Sequence, residues 1–231
     1  MHIYAFGSVC RGDVIAGSDV DLLAVVDGYD NRFDPDAYSI YSYSRLKEIW
    51  ADGNPFAWHL HLESKLIFSS DGDDYLVRLG VPNTYEHRAR DCAKFHDIFL
   101  NAASALWSKS NSQVFELSTV FLSIRNIATC FSLAGTNPEF SRYSALRLGN
   151  DSVPLSAELY KIFERARILC TRGYGNDLAV DEINEAVEAL STVSDWMKKI
   201  VNKAKQTDRI LEPHRGAEGS TSDGEREAIS A

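Results

Sequence analysis

A glycine-serine pair closes one short apolar run, and an aspartate pair ten residues further on opens another; no other feature constrains the fold of this chain as tightly. Residues 6–27 read FGSVCRGDVIAGSDVDLLAVVD, preceded by Ile3, Tyr4 and Ala5. A link of ten residues between Ser8 and Asp19 is short for a parallel crossover, which needs roughly a dozen or more, and suits antiparallel neighbours. The end of the first strand and the start of the second then meet at one edge of a sheet. Side chains two apart on a strand share a face, so the spacing points the Asp19 and Asp21 carboxylates the same way, beside Ser8.

Two parallel carboxylates repel unless a cation sits between them. Hard oxygen donors of this kind suit magnesium, which is held by one or two carboxylates together with substrate phosphates. Gly7 allows a tight turn and close approach of backbone to a ligand, and the amides that follow, with the Ser8 hydroxyl, can donate to phosphate oxygens. Arg11 either neutralises phosphate charge or pairs with Asp13.

These residues, Gly7-Ser8, ten intervening positions and Asp19-x-Asp21, with Arg11-Gly12 and Ser18 inside the interval, resemble the signature of the DNA polymerase β-type nucleotidyltransferase superfamily, in particular its small bacterial members. The resemblance implies that Gly7 and Ser8 hold a triphosphate and that Asp19 and Asp21 hold two magnesium ions. Cys10 stands where small members often carry alanine. In the family a helix commonly precedes the first strand and a third carboxylate stands on a later one. Here Phe6 lies five residues from Met1, and residues 38–43 (YSIYSY) offer serine instead of a carboxylate.

A 231-residue chain, 45% hydrophobic and 25% charged, has the composition of a globular protein with room for two domains. A net charge of −9 without a long Lys/Arg run argues against non-specific affinity for a nucleic-acid backbone. Cys10, Cys92, Cys130 and Cys170 are scattered, without zinc-type spacing, and read as reduced thiols of a cytoplasmic protein. No uninterrupted apolar run reaches the roughly 18 residues of a membrane-span candidate.

Along the chain, residues 28–37 are rich in turn formers and 38–43 alternate as a half-buried strand. Residues 45–50 predict a short helix, and 56–70 (FAWHLHLESKLIFSS) predict a return to strand. On that strand His59, His61 and Glu63 would share one face, with Glu63 as metal ligand or general base and His61 as an alternative base. From residue 85 the apolar spacing turns helical, with further helices over 113–133, 157–172 and 180–205, the last capped by Asp181 with Lys198, Lys199 and Lys203 near its C-terminal end. The link 135–154 carries Arg142, Tyr143 and Arg147, within reach of the site.

The expected architecture is α+β: a small mixed-sheet nucleotidyltransferase domain over 1–80, an antiparallel helical bundle over 84–205 and a disordered tail over 206–231. The bundle resembles the helical domain of aminoglycoside-type nucleotidyltransferases and, more loosely, the HEPN family, for whose arginine and histidine Arg90 and His96 have the spacing. The resemblance implies transfer of a nucleoside monophosphate from a nucleoside triphosphate, ATP favoured, to the hydroxyl of a small-molecule or macromolecular acceptor, with Asp19, Asp21 and Glu63 carrying the chemistry and Gly7, Ser8 and Arg11 holding the nucleotide. A homodimer stays open, nucleic acid is a disfavoured partner and no membrane is implied. The alternative is a catalytically silent nucleotide-binding or toxin-antitoxin partner protein.

Overall fold

The computed structural model describes residues 1–14, 20–28, 30–109, 111–135 and 137–211, the side chains of 207–211 excepted. Strand β1 (His2–Phe6) runs into the one-turn helix α1 (Ser8–Arg11) and returns as β2 (Asp21–Val26). After the polar loop come β3 (Tyr38–Ser42), helices α2 (Tyr43–Ala51) and α3 (Pro55–Glu63), β4 (Ser64–Ser69) and the short α4 (Tyr75–Leu79). The sheet order is β3-β2-β1-β4, with β1 antiparallel to both β2 and β4 and β2 parallel to β3. The short link after Ser8 thus joins antiparallel neighbours, as its length requires.

Period-2 alternation decides which residues the sheet buries. Tyr4, Phe6, Leu23 and Val25 turn towards α2, α3 and α4, where they pack with Leu46, Trp50 and Leu60. The opposite face carries Ala24 and Val26 under Phe33 from the loop.

The strand expected over 56–70 is instead a helix followed by a strand. Asn54 accepts a hydrogen bond from the Phe56 amide at 2.8 Å, and Pro55 occupies the first helical position, where its missing N–H costs nothing. The HLHLE alternation also fits a helix in which Ala57 and Leu60, three apart, are the buried pair; Leu62 is half exposed. His61 is exposed, while His59 and Glu63, four apart, lie on one helix face. The expected three-residue polar strand face does not exist.

The second half begins with α5 (Arg88–Trp107) and α6 (Gln113–Ser132), continues after a long link with α7 (Ala157–Arg172), and ends with α8 (Val180–Glu188) and α9 (Leu190–Leu211). Helix α6 is the axis of this half, burying Leu117, Val120, Ile124 and Ile127 at intervals of three and four against α5, α7 and α9. By length and composition alone α6 could span a membrane, with a mean hydropathy of 1.3, yet half of that window is buried inside the bundle.

The helix expected over 180–205 is two, separated at Ala189. Asp181 is not its cap: Glu182 accepts from the Ala179 amide at 2.9 Å instead. Because α9 runs on to Leu211, Lys199 and Lys203 lie mid-helix and pair with Asp151 at 3.1 and 2.6 Å, tying the long link to the bundle. Residues 206–211 are therefore helical rather than tail; the rest of the expected tail, 212–231, lies outside the described residues.

The two halves meet across the 80–87 link. Trp50 Nε1 donates to the Gly80 carbonyl and Trp58 Nε1 to that of Asn83, at 2.9 and 3.0 Å. Gly53 permits this approach: a Cβ there would sit 2.4 Å from the Asn83 oxygen. From the bundle side Phe140 stacks on the His59 ring, centroids 4.7 Å apart and planes within 10°.

Arg90 and His96 do not form a site. Six residues apart on α5, they point about 120° apart around the helix. Arg90 is exposed beside Asp91, and the buried Nε2 of His96 has no hydrogen-bond partner among the described residues. Burial lowers the His96 pKa below its ordinary value; Lys198 and Lys205 act in the same direction and Asp97 opposes them. Below about pH 6.5 the unfolded chain therefore takes up a proton that the folded state resists, so this group costs stability as pH falls. His96→Leu should gain stability relative to the parent between pH 7.5 and pH 5, read as the difference in urea midpoints; a difference that does not change with pH would refute this.

Candidate active site

The register of the sheet assembles the site. Phe6, the last residue of β1, pairs with Asp21, the first of β2, and on its other side with Ser64, the first of β4. Gly7 therefore leaves the sheet between Asp21 and Glu63, and its amide donates to the Glu63 carbonyl at 3.1 Å. Its φ of +73° is left-handed, and a Cβ there would lie 2.7 Å from Asp21 Oδ2. The carboxylate occupies the space that only glycine leaves empty.

Around this edge a cavity of about 420 Å³ opens between the sheet and the bundle. From the first half it is lined by Gly7, Ser8, Arg11, Asp21 and His59; from the second by Arg125 of α6, Arg142 of the long link, and Glu164, Arg167 and Arg172 of α7. Five guanidinium groups thus face two carboxylates in a chain whose net charge is −9. Of the expected site residues, Gly7, Ser8, Arg11 and Asp21 are brought together, while Asp19 and Ser18 lie outside the described residues. Among the described residues no group of three or more His, Cys, Asp or Glu stands ready for a metal ion.

Arg11 resolves its two sequence readings in favour of both. Its Nε donates to Asp13 at 3.0 Å and its Nη1 to Glu63 Oε2, while the residue still lines the cavity. Burial lowers its pKa, but the Asp13 and Glu63 contacts outweigh that and raise it. Glu63 itself is not among the lining residues; its carboxylate is held by Arg11 and lies 3.0 Å from His59 Nε2, close but not in line for a hydrogen bond. Of the link residues, Arg142 reaches the cavity and bonds Glu164 at 3.1 Å. Tyr143 packs against the bundle core, and Arg147 lies over its ring and pairs with Glu139 at 3.6 Å.

Sequence reasoning weighed Arg125 only as a HEPN-type arginine that lacks its histidine, and missed Arg167 and Arg172. The signal was present in α7, where Glu164, Arg167 and Thr171 follow intervals of three and seven, a polar stripe on one helix face. Arg125 is held by its Nη2 bond to the Phe140 carbonyl at 3.1 Å, and its Nε is buried without a hydrogen-bond partner among the described residues. Burial lowers its pKa; Arg11 and Arg142 act in the same direction, Tyr160 and Asp21 against.

Residues 2–79, about a third of the chain, match the family model described as nucleotidyltransferase domain. This part of the chain is a nucleotidyltransferase domain of the polymerase β-type superfamily, carried on a small mixed sheet and followed by a helical region. No curated protein and no solved structure gives a significant match to the chain.

Proposed function

We propose that the protein transfers a nucleoside monophosphate from a magnesium-bound nucleoside triphosphate, ATP favoured, to an acceptor hydroxyl. The observation that carries this reading is the convergence of Gly7, Ser8, Arg11 and Asp21 on one arginine-rich cavity at the edge of a nucleotidyltransferase sheet. In the reaction a bond forms between the acceptor oxygen and the α-phosphorus, the bond to pyrophosphate breaks, and the hydroxyl proton leaves to a base or to water.

The residues present fit a hard cation: Asp21 presents an oxygen into the cradle left by Gly7, beside Ser8. Asp21 with Asp19 would hold magnesium, which when bound neutralises phosphate charge and fixes the reacting groups. Ser8 and the turn at Gly7 hold the phosphate chain, and Arg11, fixed by Asp13 and Glu63, offers its remaining donors to phosphate oxygens.

Glu63 had two expected roles, metal ligand and general base. Its contact with Arg11 supports a third, positioning that guanidinium. Glu63→Gln should then raise KM for the nucleotide about tenfold and change kcat little, as loss of a charged hydrogen bond would. A kcat lowered about 100- to 10,000-fold at unchanged KM would restore the base role. The engagement of Glu63 also favours the second reading, a silent nucleotide-binding partner protein. Pyrophosphate release, assayed with magnesium, each of the four nucleoside triphosphates and a panel of acceptors, tests the proposal; nucleotide bound without any release would support the silent protein.

A further inference from the structure

The bundle wall of the cavity faces the nucleotide-binding edge with arginines that the phosphate-holding turn does not need. Arg125, Arg142, Arg167 and Arg172 all come from outside the nucleotidyltransferase domain at 2–79. The one carboxylate on that wall, Glu164, is already bonded to Arg142. Among the described residues Arg167 makes one long contact, 3.5 Å, from Nη1 to the Ser118 hydroxyl, and the buried Nε of Arg125 has no hydrogen-bond partner. A buried donor left unmade is costly, and several guanidiniums gathered in a half-enclosed space repel one another. Both costs fall when an anion is bound, whereas a cation would add to the repulsion.

We propose that Arg125 and Arg167 form an anion subsite for the acceptor, and that the acceptor is a small phosphate-bearing molecule rather than a cationic one. This rests on the transfer reading above and names the acceptor class of that same site. Phosphate is favoured as the anion because planar guanidiniums match its oxygens in pairs. Small size follows from a cavity of about 420 Å³, within the usual range for small-molecule sites, and from a net charge of −9, which disfavours a long polyanion.

The test uses the full chain saturated with magnesium and a non-hydrolysable ATP analogue, titrated by calorimetry with ribose 5-phosphate, with ribose and with spermidine. Ribose 5-phosphate should bind and the other two should not. Arg167→Gln should weaken that binding about tenfold or more while the analogue's affinity changes less than threefold, and Arg125→Gln should do the same. Arg167 is the safer variant, because Arg125 also holds the Phe140 carbonyl. The inference is overturned if spermidine binds, if ribose 5-phosphate only displaces the analogue, or if the substitutions weaken the analogue as much as the phosphate. Failure of the transfer reading is seen separately, as an analogue that does not bind.

Discussion

Asp21→Asn leaves the chain folded and lowers nucleotidyl transfer at least about 100-fold, in the range lost when one preorganised group is removed from charge stabilisation at a reacting centre. The amide keeps the shape of the carboxylate and its place beside Phe6 in the β1–β2 register, so the sheet is undisturbed. What disappears is the anionic oxygen facing Gly7, the donor that the proposed cation would use. Asp21 also opposes the repulsion that Arg11 and Arg142 exert on Arg125, so the substitution relieves no like-charge strain there and should cost a little stability. Pyrophosphate release and a urea melt on the same sample check both halves of this statement. Transfer within a few-fold of the parent would remove Asp21 from the site.

Gly7→Ala should be more damaging still, because it strikes fold and site together. A left-handed backbone with an added Cβ costs on the order of 1–3 kcal/mol. Here the Cβ would in addition lie 2.7 Å from Asp21 Oδ2, so either the turn or the carboxylate must shift. The expected result is a lowered urea midpoint together with loss of magnesium-dependent nucleotide binding. An alanine variant with unchanged midpoint and affinity would mean that the turn tolerates φ below zero and that the cradle is not required.

Legibility followed the range of the interactions. The Gly7-Ser8 turn and the pairing of β1 with β2 were readable because a ten-residue link and two alternating runs are local signals. The helices over 113–132 and 157–172 were equally readable from apolar periodicity. Residues 56–63 were not, since HLHLE fits period 2 as well as a helix, and the deciding facts were the Asn54 cap and Pro55 at its start. The arginine wall escaped for a different reason. Arg125 and Arg167 are 42 positions apart, and only the packing of α6 against α7 brings them to one cavity. A net charge of −9 hid the local excess of positive charge, because composition averages over the very asymmetry that makes the cleft.

The central claim, that the cleft between the Gly7–Asp21 edge and the bundle holds a magnesium nucleoside triphosphate, is tested most directly by calorimetry of the full chain with each of the four nucleoside triphosphates, with and without magnesium. The account predicts one nucleotide bound per chain, dependent on magnesium, and lost in Asp21→Asn. Binding of none of the four, or binding that neither magnesium nor Asp21→Asn alters, would contradict it.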